Sequence, residues 1–189
     1  MGVSWLRSSL VVLSTLSIIM PSASAGERLD GTVYFEAAPC LKNVKTTFNE
    51  THRRGATYYF TLTLPSNAGE PLGELVITQR LGIDDIPLLL EKTTAFVGTP
   101  NDKQESLSLA NVSQSEDHRK ITATFRQPIP PGTTMTLGLK PRKNPQYDGV
   151  YLFGITARPA GNITQDLYLG VRRLQFYDRS NDNDFRVAP

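Results

Sequence analysis

Cysteine is almost absent: Cys40 is the only one in 189 residues, so no disulfide can form within the chain. Histidine is nearly as scarce, represented only by His52 and His118. A tetrahedral zinc or copper site would need most of these three residues together. The sole tryptophan, Trp5, falls in the leader described below. An excess of charge is lacking too. The 20 basic and 18 acidic residues are interspersed, and the net charge is +2. That balance is too mild and too mixed to imply a nucleic-acid groove or an anionic membrane patch. There is no Gly-x-x-x-x-Gly-Lys loop to cradle phosphate and no Gly-x-Ser-x-Gly elbow to present a nucleophile.

No apolar run reaches membrane-spanning length. Residues 8–20, SSLVVLSTLSIIM, are uncharged, but this run is short of the roughly 20 residues a spanning helix needs. Arg7 precedes it; Pro21 and the small-x-small triplet Ala23-Ser24-Ala25 follow. This pattern is that of a secretory signal peptide cleaved after Ala25. No cysteine stands at the junction to carry a lipid. The expected organisation is a signal peptide over 1–25, one folded domain over 26–177 and a polar, flexible tail over 178–189. A domain of this size buries about 70% of the surface its unfolded chain exposes, so its core can hold it without disulfides. Cys40 is expected to be buried and inert rather than a thiol that pairs between chains.

What the chain does have is period two. In residues 56–64, ATYYFTLTL, the side chains of Tyr58, Phe60, Leu62 and Leu64 share one face, and Thr57, Tyr59, Thr61 and Thr63 the other. Ile121, Ala123 and Phe125 alternate with Thr122, Thr124 and Arg126, and Met135, Leu137 and Leu139 alternate with Thr134, Thr136 and Gly138. The threonines suit a pleated surface with one wet face. Residues 150–156, VYLFGIT, are apolar on both parities, as in a central strand covered on both faces. Residues 167–177 change parity, which places a β-bulge near Arg172-Arg173. Weaker strands are expected at 32–35, 75–79, 88–90 and 107–112. Turn signals separate these runs: SNAGEP (66–71), Pro130-Pro131-Gly132, Asn144-Pro145, Asp148-Gly149 and PAGN (159–162). A short helical turn near Asp84-Asp85 would not alter the class. The spacing predicts an all-β chain, a single antiparallel β-sandwich of the immunoglobulin-like kind.

Candidate chemistry is thin. His52, in Thr51-His52-Arg53-Arg54, and His118, in Glu116-Asp117-His118-Arg119-Lys120, sit in solvated turn sequences. Asp178, Ser180, Asp182 and Asp184 alternate as the first oxygen ligands of an EF-hand loop do. The sixth position is Asn183 rather than glycine and the twelfth is Pro189 rather than glutamate, so this is a weak calcium candidate and a solvated acidic tail is the simpler reading. Tyr59, Tyr147 and Tyr151 are candidate surface contacts for a sugar, set against the plainer role of a packed ring with its hydroxyl at the rim. Arg53, Arg54, Lys140, Arg142, Lys143, Arg172 and Arg173 form a positive face if the fold aligns them. No cofactor is expected.

The string Gly55-Ala56-Thr57-Tyr58-Tyr59-Phe60 is followed by Asn67-Ala68-Gly69-Glu70-Pro71-Leu72, Pro130-Pro131-Gly132-Thr133-Thr134, Gly149-Val150-Tyr151-Leu152-Phe153-Gly154, Pro159-Ala160-Gly161 and Leu167-Tyr168-Leu169-Gly170-Val171. Together these resemble a family of small secreted cyanobacterial proteins, domain-of-unknown-function 2808, over residues 38–177. The resemblance implies export, a common fold and a bacterial source, and it transfers no catalytic residue. In a bacterium the sequons at Asn49, Asn111 and Asn162 go unmodified; in a eukaryotic secretory route they accept glycans. The expected role is a non-enzymatic module of the cell envelope that binds a protein or glycan there. The alternative is a small secreted hydrolase with two carboxylates brought to one cleft. The expected compartment is secreted or periplasmic, with the thylakoid lumen also open to such a signal.

Overall fold

The structure, a computed structural model, describes residues 30–178. The leader with its Ala25 junction and residues 179–189 lie outside the described residues. Ten strands follow in order: β1 (Cys40–Thr46), β2 (Tyr58–Thr63), β3 (Leu72–Leu81), β4 (Thr94–Thr99), β5 (Asp102–Ser106), β6 (Leu109–Gln114), β7 (Lys120–Ile129), β8 (Thr134–Leu139), β9 (Gly149–Pro159) and β10 (Leu167–Phe176). They form two five-stranded sheets, ordered β1-β2-β8-β4-β5 and β10-β9-β3-β7-β6. Every strand pairing within them is antiparallel. The expected all-β antiparallel sandwich is the observed fold.

The core forms where the apolar parities of the two sheets meet. Phe60 and Leu62 of β2 and Met135 and Leu137 of β8 are buried, as are Leu75 and Ile77 of β3, Ala123 of β7 and Ile155 of β9. Burying each of the larger side chains contributes about 1.5–3 kcal/mol. Five rings tie the layers together. Phe60 meets Phe153 edge-on at 5.9 Å and Tyr151 meets Phe176 at 5.4 Å, while Tyr58 lies 5.7 Å from Phe176. Such tilted and edge-to-face pairs add to plain burial.

The threonine face of the first sheet is drier than its pattern predicts. Thr61 and Thr136 are buried, with hydroxyls 2.9 Å apart. Thr136 donates to the carbonyl of Gly98 at 2.7 Å, so Thr61 is the donor between the two hydroxyls. The β4–β5 hairpin curls over this face. Lys103 Nζ lies 5.2 Å from the Phe96 ring and 5.5 Å from the Tyr59 ring. The curl requires glycine at position 98, which has φ +94° beside a β-bulge, and a Cβ there would collide with the Asp102 carbonyl oxygen.

Several expectations need correction. The parity change in β10 comes at Tyr168–Gly170, earlier than Arg172-Arg173. Gly170, at φ +104°, takes the conformation that other residues resist. β9 is central but not buried on both faces: Tyr151, Phe153, Ile155 and Ala157 enter the core, while Val150 is exposed on the other side. Residues 32–35 and 88–90 make only isolated bridges, Val33 with Thr164 and Leu88 with Pro141. The helical turn lies at Leu90–Lys92 rather than at Asp84-Asp85. Cys40 is exposed, not buried. It opens edge strand β1, where Leu41 points into the core at 4% exposure, so its neighbour must point out. Strands β1, β4 and β5 were not expected. β5, DKQES, is entirely exposed, and its charges suit a sheet edge.

On the outer face of the second sheet, Arg158 bridges Glu74 and Asp166; its Nη2 lies 2.8 Å from one Asp166 oxygen and its Nε 2.6 Å from the other. Hydrogen bonding to Arg158 is the main cause that lowers the Asp166 pKa, and Coulomb attraction to Arg158 and Lys120 adds to it, against the opposing effect of desolvation. The folded chain therefore releases this proton more readily than the unfolded chain does. The stabilisation is complete above the unfolded carboxylate value of about 3.9 and disappears as pH falls through the lower folded value. A carboxyl NMR titration should place the Asp166 midpoint below that of a free aspartate, and Arg158→Gln should return it upward; an unchanged midpoint in the variant would refute the assignment. Separately, Gly98→Ala should lower unfolding stability by about 2 kcal/mol or more, measured by urea denaturation.

Candidate binding site

Loops 47–57, 82–93, 115–119 and 140–148 leave the strands at the same end of the sandwich. Side-chain amides hold them there. Asn144 is fully buried. Its Oδ1 accepts from the Tyr58 hydroxyl at 2.9 Å, and its Nδ2 donates to the carbonyls of Phe48 at 2.9 Å and Glu50 at 2.8 Å. Its backbone N–H donates to the Arg53 carbonyl at 2.7 Å, and that of His52 donates to the Pro145 carbonyl at 2.9 Å. Gln114 does the same for the 82–93 loop. It donates to the carbonyls of Ile86 and His118, both at 2.8 Å, and accepts from Leu88 N–H at 3.0 Å. Arg142 N–H donates to the Pro87 carbonyl at 2.9 Å, which joins two of the loops directly.

Between them lies a cleft of about 460 Å³ lined by Arg54, Pro87, Leu89, Arg142 and Lys143. Pro87 and Lys143 also line an adjoining depression of about 230 Å³ with Asp84 and Asp85. Pro87 and Arg142 line another, of about 380 Å³, with Leu88, Gln114 and His118. The floor is apolar and the nearest walls are cationic. The two acids of the adjoining depression have structural partners. Asp84 accepts from the backbone N–H groups of Gln146 and Tyr147, and Asp85 pairs with Arg119 at 2.9 Å. The side chains of Arg54, Arg142 and Lys143 have no such partner among the described residues. Chemically, the arrangement is suited to holding oxyanions beside an apolar surface.

Of the basic positions singled out from sequence, Arg54, Arg142 and Lys143 converge. Arg53 instead stacks on Phe48, 4.6 Å from the ring centroid. Arg172 is held by backbone carbonyls, including that of Leu41 at 3.0 Å, and Arg173 lies on β10 opposite Leu152. Among the tyrosines, Tyr147 is 49% exposed at the loop end. Tyr59 is half-buried against Phe96. Tyr151 is 1% exposed and unavailable as a surface contact, because its ring packs on Phe176 and its hydroxyl donates to the Tyr147 carbonyl at 3.1 Å. His52 and His118 are both exposed turn residues with positive φ, 56° and 57°. No cluster of three metal-ligating side chains occurs among the described residues. Ser180, Asp182 and Asp184 of the calcium candidate lie outside them, and Asp178 is their last residue. Sequence reasoning missed Asn144, Gln114, Pro87 and Leu89, since nothing in their local patterns marks an amide that ties loops together or a cleft floor.

The profile of the family described as "Protein of unknown function (DUF2808)" matches residues 32–176, which takes in all ten strands. The chain belongs to this DUF2808 family. The match includes the elements that build the cleft. No sequence match was found among the curated proteins. Among solved structures, the DUF2808 chain is similar to ACE19, the collagen-binding subdomain of the Enterococcus faecalis surface protein ACE. That match has 11% identity and a TM-score of 0.42, covering 71% of this chain and 96% of the other. It is also similar to the collagen-binding domain of a Staphylococcus aureus adhesin, at 8% identity and a TM-score of 0.35, covering 65% and 87%. A cohesin module from a Clostridium perfringens family 33 glycoside hydrolase matches at 11% identity and a TM-score of 0.31, covering 72% and 96%. Likenesses this distant say nothing of a shared ligand.

If Asn144 holds the loop end together, Asn144→Ala leaves a tyrosine hydroxyl and two carbonyls unpaired around a small void. The expected loss is about 3 kcal/mol of unfolding stability, with hydrogen exchange rising first in 47–57 and 140–148. A loss under about 0.5 kcal/mol would mean that the loops are held by other contacts.

Proposed function

We propose that this DUF2808 protein is an exported, non-enzymatic β-sandwich module of the cell envelope that binds an acidic component there through its loop end. The observation that carries the reading is the trio Arg54, Arg142 and Lys143, which line one cleft beside Pro87 and Leu89 and have no ion pair among the described residues. Export is supported by the Arg7, 8–20 and Ala23-Ser24-Ala25 pattern. Periplasm, outer surface and thylakoid lumen all lie beyond such a signal. Acidic side chains of a protein and the acidic groups of a glycan present the same oxygen acceptors to this surface. The hydrolase alternative needs two carboxylates with distinct protonation roles facing one cleft. Asp84 and Asp85 do share a depression, but each is committed to a structural partner, and no observation favours that alternative.

The processed protein should be retained on a sulfated-polymer column at low ionic strength and released in about 1 M salt, where charges are screened beyond about 3 Å. The triple variant R54A/R142A/K143A should elute markedly earlier while keeping the parent's thermal midpoint. Equal retention of parent and variant would defeat the reading.

A further inference from the structure

The four loops of this end hold seven acids and seven bases, so a broad partner meets no net charge there. A narrow one meets the cleft alone, where Arg54, Arg142 and Lys143 converge beside Pro87 and Leu89. These three cations have no ion pair among the described residues. The described chain also leaves the sandwich at this end. Tyr177 N–H donates to the Asn49 carbonyl and Thr51 N–H donates to the Tyr177 carbonyl, both at 2.9 Å. The bridge between Glu50 and Tyr177 is parallel. The chain at Tyr177 therefore runs in the same sense as the 47–57 loop, which leads from Thr51 to Arg54.

Residues 179–189 read RSNDNDFRVAP. At their centre Asp182 and Asp184 flank one asparagine and Phe185 follows, with Arg179 and Arg186 outside this core. Asp182 comes five residues after Tyr177, a reach of about 17 Å for extended chain. Arg54 comes three residues after Thr51, within about 11 Å of it. The tether is thus long enough to bring both aspartates to the cleft.

Resting on the reading of this cleft as an anion site, we propose that Asn181-Asp182-Asn183-Asp184-Phe185 occupies it in the same molecule, as a built-in competitor that an external acidic partner displaces. Asp182 and Asp184 supply the oxyanions for the three cations, and Phe185 supplies an apolar surface for the Pro87–Leu89 floor. A segment this narrow meets the trio and not the balanced charge of the whole end. Exposed ion pairs are individually weak. A short tether offsets that weakness, because it holds the segment at an effective concentration on the order of millimolar. Weak pairs then keep the cleft occupied without closing it to a tighter ligand.

The test uses the full processed chain. Zero-length carbodiimide coupling at low ionic strength, read by mass spectrometry of the monomer, should join Lys143 to Asp182 or Asp184. On the sulfated-polymer column, D182N/D184N should elute at higher salt than the parent, because the competitor is gone. The control D102N/E105Q removes the same charge from exposed strand β5, and the tail variant should exceed it. Coupling that is absent, or found only between two copies, overturns the proposal. So does a tail variant retained no better than the control; if the parent is still retained through Arg54, Arg142 and Lys143, the anion-binding reading then stands without the competitor. If neither parent nor D182N/D184N is retained, both readings fall.

Discussion

The carboxamide of Asn144 is the interaction on which the loop end depends. Its acceptor faces Tyr58, whose ring belongs to the core between the sheets, and its donors face the 47–57 loop. Burial pushes the Tyr58 hydroxyl pKa well above its ordinary value, with the nearby Tyr151 adding to the effect. That hydroxyl therefore remains protonated, and a donor, at any physiological pH. This fixes the amide's orientation, since its oxygen must meet the hydroxyl and its nitrogen the two carbonyls. In a low-dielectric setting each of these bonds is stronger than in water, and each orphaned partner costs more. The core thereby dictates the position of a loop that carries one of the cleft's cations.

The same logic repeats with uncharged amides. Gln114 holds three backbone groups, and Gln79 donates to the Asp84 carbonyl at 2.6 Å. Carboxylates take structural places at this end: Asp84 on backbone amides, Asp85 on the Arg119 guanidinium, and Asp117 on Ser115 and Arg119 N–H. Hydrogen bonds from Ser115 and then from Arg119 N–H lower the Asp117 pKa. Carboxylates are acceptors and suit the orphan N–H groups of tight turns. Of the cations in these loops, Arg119 is held by Asp85 and Arg53 stacks on Phe48, whereas Arg54, Arg142 and Lys143 have no ion pair among the described residues.

Much of the sandwich was legible because period two survives wherever a strand faces one core: Tyr58, Phe60 and Leu62 lie where alternation puts them, as do Ile121, Ala123 and Phe125. Legibility failed at the edges. In β1 a bulge between Leu41 and Asn43 breaks the alternation of Leu41 and Val44, and in β5 there is no apolar residue to alternate. VYLFGIT misled because apolar character on both parities signals two covered faces, whereas here the outer side is only partly shielded: Gly154 lies beneath Arg80 and Tyr168 while Val150 remains exposed. Cys40 followed the same geometry, because an edge strand has room for a small apolar residue outside. The cleft was less legible than the fold. Its basic residues were visible as a set, but their convergence depends on sheet order, which brings 54, 87 and 142 together through pairings no local pattern encodes.

Net charge is a poor guide to such a surface for a physical reason. At physiological ionic strength the field of a charge is screened over about 8 Å, so a ligand at the loop end responds to the few groups within that distance and hardly to the far end of the sandwich. The Glu74–Arg158–Asp166 bridge on the outer sheet face contributes to the composition but little to the cleft. Arg54, Arg142 and Lys143 line one cleft beside Pro87, although the four loops of this end hold seven bases and seven acids in all. Interspersion along a β-chain does not imply interspersion in space, since every second loop returns to the same end. A sandwich can therefore gather like charges along one cleft while the end as a whole, like the sequence, stays balanced.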